Sequence, residues 1–133
     1  MLLFLAMRNI PSHFQPSLPL TVTEWDEWGD PLHNADVYRY MKEYTPYENA
    51  PSDANDARVA VFPKIFITTS MNDTRVLYVE PMKWLARLQR AGVDAVAKIE
   101  VEAGHGGTSG RYKQWEEISY ENAWCLGVMG ITS

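Results

Sequence analysis

A single cysteine, Cys125, rules out an internal disulfide and a multi-cysteine metal site, and makes a reducing, cytoplasmic setting the default. Positive charge is not in excess: 12 Lys and Arg stand against 17 Asp and Glu. The formal net charge of -5 offers no basic face for nucleic acid, although it leaves room for an acidic cleft that takes a basic ligand. Long apolar runs are missing as well. Met1 to Met7 is apolar but too short to span a bilayer, and it meets Arg8 where a signal peptide would carry a small-residue cleavage site. Neither a membrane partner nor secretion is expected from it. Histidine is scarce, and His13, His33 and His105 share no metal-ligand spacing, so no metal site is expected. There is no internal repeat. With 46% apolar and 22% charged residues, the 133-residue chain has the make-up of one globular unit.

Residues 1 to 16 read as an irregular lead, with Pro11 and Pro16 working against a continuous helix. An acidic, aromatic segment follows, Glu24-Trp25-Asp26-Glu27-Trp28, and Gly29 with Pro31 turns its end. Val37, Tyr40, Met41 and Tyr44 recur at helical spacing, so a helix is expected over 36–44, capped by Asn34 or Asp36 and closed by Thr45-Pro46. Small polar residues make 51–58 a loop. Pro63 then restricts the first strand to a start at Lys64. Glu80-Pro81 opens a helix whose apolar face is Trp84, Leu85 and Leu88, and Gly92 stops it. Residues 96–101 alternate as a second strand. A last helix runs from Ser109 to about Leu126, with Ser109 as its cap and Tyr112, Trp115, Ile118, Tyr120 and Trp124 packing inward. Strand, crossover helix and strand make a βαβ unit with parallel strands, an α/β architecture. Two strands form an incomplete sheet, whose open edges invite association.

Two residues sit just past those strands, where open α/β sheets carry their chemistry. Asp73 lies in Asn72-Asp73-Thr74-Arg75-Val76, and His105 stands among Gly104, Gly106 and Gly107. Their separation suits the roughly 30 residues of a βαβ unit. An acid followed by a histidine, each on a loop after a strand, is how α/β hydrolases deliver the last two members of a Ser, Asp, His triad. The serine is not here: no Gly-x-Ser-x-Gly elbow occurs in the sequence, and Ser109 misses that frame. Taken alone, His105 is also consistent with a plain glycine turn, and Asp73 with an Asx turn. Glu24, Asp26 and Glu27 read either as a solvated face or as a pocket for a guanidinium or ammonium group. Arg75 either offsets nearby acids or binds a substrate carbonyl.

Several stretches together resemble the C-terminal end of the catalytic domain of the prolyl oligopeptidase family of serine peptidases, especially its oligopeptidase B branch. In chain order they are Leu18-Pro19-Leu20-Thr21, Glu24 to Pro31, Tyr40-Met41-Lys42, Tyr44 to Asn49, Asn72 to Val76, Glu80 to Trp84, and Glu102 to Gly107. The resemblance covers 17–133 and implies the C-terminal portion of an α/β-hydrolase fold. It implies Asp73 and His105 as triad acid and base, and Glu24 with Asp26 as the paired acids that hold an Arg or Lys of a peptide substrate. It implies Arg75 as a carbonyl-binding residue, and no cofactor. Asp26 stands where glutamate is more usual, Asp30 where asparagine is, and 51–60 looks like an added loop. The expected activity is that of a serine-type oligopeptidase cleaving after Arg or Lys, inactive without a nucleophile from elsewhere. The rival expectations are a non-catalytic module that pairs with a second copy or an N-terminal half through its sheet edge, and the remnant of a shortened gene.

Overall fold

Asn34 sets the first long helix. Its side-chain oxygen accepts from the amides of Asp36 at 2.9 Å and Val37 at 3.3 Å, satisfying donors that a helix start leaves unpaired. The computed structural model describes residues 22–107 and 109–131. The irregular lead and His13 lie outside them. Within them the order is α1 (Trp25–Trp28), α2 (Ala35–Tyr44), a 3-10 turn (Ala57–Val61), β1 (Ile65–Ser70), α3 (Val79–Arg90), β2 (Ala95–Glu100) and α4 (Arg111–Val128). Helix α2 ends as expected at Thr45, whose amide and hydroxyl both donate to the Met41 carbonyl.

The two strands pair in parallel, from Ile65 opposite Ala95 to Ser70 opposite Glu100. Alternation then assigns the faces. Ile67 joins Leu85 and Leu88 of α3 in the buried core with Ala50, Val93 and Ala95. The neighbouring Phe66 points the other way and stacks on Trp124 of α4, with ring centroids 5.5 Å apart. Helices α3 and α4 therefore cover opposite faces of the sheet, as parallel strands require.

Leu88 is fully buried, and the helix that carries it is stopped by Gly92, whose φ of 82° an L side chain rarely adopts. Gly92 donates to the Gln89 carbonyl and Val93 to that of Leu88, which closes a Schellman motif with its Leu88 and Val93 apolar contact. A side chain also reinforces the core's outer wall: Trp84 Nε1 donates to the Pro46 carbonyl at 3.1 Å and fastens α3 to the segment after α2.

Two expectations for α4 are corrected. Ser109 does not cap it. Gly110, at a φ of 104°, occupies the cap position and no side chain bonds the first amides. Nor do its aromatic residues pack inward as a set: Trp124 is half-buried against Phe66, but Tyr112 is 79% exposed and Trp115, Ile118 and Tyr120 are more than half exposed. The physical reason is that the apolar residues of α4 are spread around the helix, so one narrow strand pair covers only part of them. The 3-10 turn was also unforeseen. Arg58 organises it, gripping Asp56 with its guanidinium while donating to the carbonyl of Asn49 at 2.9 Å.

Candidate functional site

The site forms where both strands end. After Ser70 the chain turns, and the Asp73 amide donates back to the Ser70 carbonyl at 3.2 Å. Asp73 Oδ1 then accepts from the amides of Arg75 and Val76, each at 2.9 Å, in an Asx turn. This leaves Oδ2 facing out of the turn. After β2 the chain forms a tight loop in which Gly107 N–H donates to the Gly104 carbonyl at 3.1 Å, and Gly107 adopts a φ of 74°. That loop carries His105, whose Nδ1 lies 2.8 Å from Asp73 Oδ2.

The two side chains differ in exposure: Asp73 is 11% accessible and His105 42%. Partial burial pushes the Asp73 carboxyl up. The Val76 amide, the His105 ring and the Arg75 amide together outweigh it, and Asp73 is held below the usual carboxylate range. A carboxylate only accepts hydrogen bonds, so Nδ1 of His105 must carry the proton between them. In the neutral ring Nε2 then carries the lone pair, on the more exposed of the two side chains. It is placed to take a proton from a hydroxyl, and the fixed carboxylate to stabilise the imidazolium that results.

The other residues singled out from sequence are placed as follows. Glu24 is the half-exposed cap residue of α1, and Asp26 lies exposed on the same turn of helix. Among the described residues Asp26 makes no hydrogen bond or ion pair to Asp73 or His105. Arg75 has an exposed side chain, while its backbone amide belongs to the clamp on Asp73. Among the described residues no three His, Cys, Asp or Glu side chains gather as a metal site would need. No helix among them is long and apolar enough to cross a membrane.

Sequence reasoning missed two contacts. Asp30 and His33 form a second acid and imidazole pair at 2.6 Å within one turn, beside the edge of Trp25. The spacing of the two residues was the available signal. Asn72, adjacent to Asp73, sends its side-chain amide to the Val101 carbonyl at 3.0 Å. Nothing local announces that bond.

A parallel strand pair with helices on both faces, carrying an acid and an imidazole in contact past the strand ends, defines part of an α/β hydrolase. The chain belongs to the prolyl oligopeptidase family, whose family model matches residues 6–132. It is similar to Protease 2 of Moraxella lacunata, with 45% identity over 118 residues, which is 86% of this chain and 16% of that protein. Dipeptidyl aminopeptidase BI of Pseudoxanthomonas mexicana is 35% identical over 127 residues, 93% of this chain and 16% of its own length. Among solved structures, oligopeptidase B from Leishmania major superposes with a TM-score of 0.79 and 31% identity, over 92% of this chain and 16% of that one. The similarity is to the C-terminal region of these peptidases, and the chain spans 16% of their length.

Proposed function

We propose that this chain supplies the acid, the base and part of the substrate pocket of a serine-type oligopeptidase that cuts peptides after Arg or Lys. Residues 17–133 would be part of its catalytic domain, in a cytoplasmic setting. The observation that carries the reading is the 2.8 Å contact between Asp73 and His105, which selects the tautomer a general base needs. In this scheme a serine hydroxyl from outside these residues gives its proton to His105 Nε2 and attacks the carbonyl carbon of the substrate. The same proton then passes to the leaving amine, and Asp73 stabilises the transient imidazolium. Glu24 and Asp26 hold the basic side chain of the substrate, Arg75 donates to one of its carbonyls, and no cofactor takes part.

On its own the chain hydrolyses no peptide by this route, because the nucleophile is the group that forms the covalent intermediate. The test is recombination. The chain is mixed with a Moraxella lacunata Protease 2 polypeptide lacking the matching C-terminal stretch, and cleavage of Arg- and Lys-containing peptides is measured. Cleavage that appears only in the mixture and vanishes with His105→Ala supports the proposal. A fluorophosphonate probe labelling a serine of the isolated chain would overturn it.

A second reading, association without catalysis, is favoured by the exposure of Val96, Ile99 and Trp115 around the strand pair. It expects the chain to bind the same polypeptide, or a second copy, without any cleavage. Light scattering of the chain alone and of the mixture separates the two.

A further inference from the structure

The ladder between the strands runs out at the site. Met71 N–H still donates to the Glu100 carbonyl at 2.8 Å, but the Asp73 amide turns back to Ser70. Beyond that rung a side chain crosses the gap: Asn72 Nδ2 donates to the Val101 carbonyl at 3.0 Å. The backbone oxygen of Asn72 also lies against the histidine loop, 3.7 Å from where a Cβ on Gly104 would stand. Asn72 thus touches that loop on both sides of its start, while its own neighbour in sequence is Asp73.

Each loop is stiffened from within. The amides of Arg75 and Val76 fix the Asp73 carboxylate to its own turn, and the Gly104 to Gly107 bond closes the histidine loop on itself. Neither feature sets the distance between the loops. We propose that Asn72 is a positioning residue that does, bracing the two loops so that Asp73 Oδ2 and His105 Nδ1 remain in contact. Hydrogen bonds weaken steeply as they lengthen or bend, so a small separation of the loops would weaken the pair out of proportion to the one exposed amide bond lost. The effect on the pair follows from the geometry alone. Its meaning for catalysis rests on the peptidase reading.

The experiment follows solvent exchange of the His105 Nδ1–H proton by NMR in the full chain, with Asp73→Asn marking the rate reached when the carboxylate partner is removed. Asn72→Ala is expected to raise that rate at least halfway toward the mark, and Asn72→Gln, which keeps a donor, to raise it less. An unchanged rate in Asn72→Ala, or equal increases in the two variants, overturns the proposal. Should Asn72→Ala fail to fold, the scalar coupling across the hydrogen bond from Asn72 Nδ2 to the Val101 carbonyl carbon decides in the unaltered chain. Its presence supports the brace and its absence overturns it. Recombination that fails to cleave while His105 responds to Asn72 removes the peptidase reading and leaves the brace standing. Cleavage with His105 indifferent to Asn72 does the reverse.

Discussion

Phe66 on β1 and Trp124 on α4 stack nearly parallel, with an interplanar angle of 20° and centroids 5.5 Å apart. Because most other large side chains of α4 are exposed, this stack is a principal anchor of the helix on the sheet. A second anchor lies one turn away. Lys98 of β2 sits over the ring of Tyr120 at 5.4 Å and reaches Glu117 at 3.7 Å.

Trp124→Ala is therefore expected to destabilise the chain by about 1–3 kcal/mol, below the roughly 3–5 typical of a fully buried tryptophan because the ring is only half-buried. Urea unfolding followed by far-ultraviolet circular dichroism measures it. A change under about 0.5 kcal/mol would mean that α4 is held some other way.

Asp73 makes stability depend on pH with a definite sign. Its folded-state pKa is depressed, so the ionised form is favoured by folding, and that contribution is complete above the unfolded value of about 3.9. It is lost as pH falls below that value through the lower folded pKa. The stability difference between the chain and Asp73→Asn should accordingly shrink as pH falls below about 4. A difference that stays constant from about pH 4 to pH 2 would contradict the clamp.

Two glycines with positive φ separate backbone strain from steric conflict. Gly92 has φ of 82° and open space around a would-be Cβ, so Gly92→Ala should cost about 1–2 kcal/mol, the strain of the left-handed region alone. Gly29 has φ of 92°, and a Cβ there would lie 2.7 Å from Val37 Cγ1. Gly29→Ala should cost more than Gly92→Ala, since Val37 or the turn that carries Asp30 must shift as well. Equal losses in paired thermal unfolding would show that Val37 yields freely.

Arg58 is expected to control access to the loop before β1. Its fork on Asp56 and its bonds to the carbonyls of Asn49 and Ala50 tie the loop to the segment after α2. Limited proteolysis of Arg58→Ala should cut within 52–61 several-fold faster than in the unaltered chain, with the cores of α3 and β1 still protected. Cleavage at the same rate would remove the tie.

Contacts made close along the chain were legible before the structure. The Asn34 cap, the end of α2 at Thr45, the stop at Gly92 and the run of strand, helix and strand all depend on neighbours a few residues away, and each element lies within two residues of its expected bounds. Asp73 and His105 were legible because a strand end fixes where the next loop begins. The two failed readings differ in cause: the cap of α4 fell to Gly110, next to Ser109, through a local backbone turn, whereas the aromatic residues of α4 could not all be buried by two strands.

Composition, helix caps and the alternation of strand residues were enough to specify an α/β unit with an acid and an imidazole past its strand ends. They act locally, so a linear reading captures them. The 2.8 Å contact, the proton's place on Nδ1 and the brace from Asn72 to Val101 came only from folding. They depend on the parallel register, which brings together residues 29 and 32 positions apart, and no local preference encodes that distance.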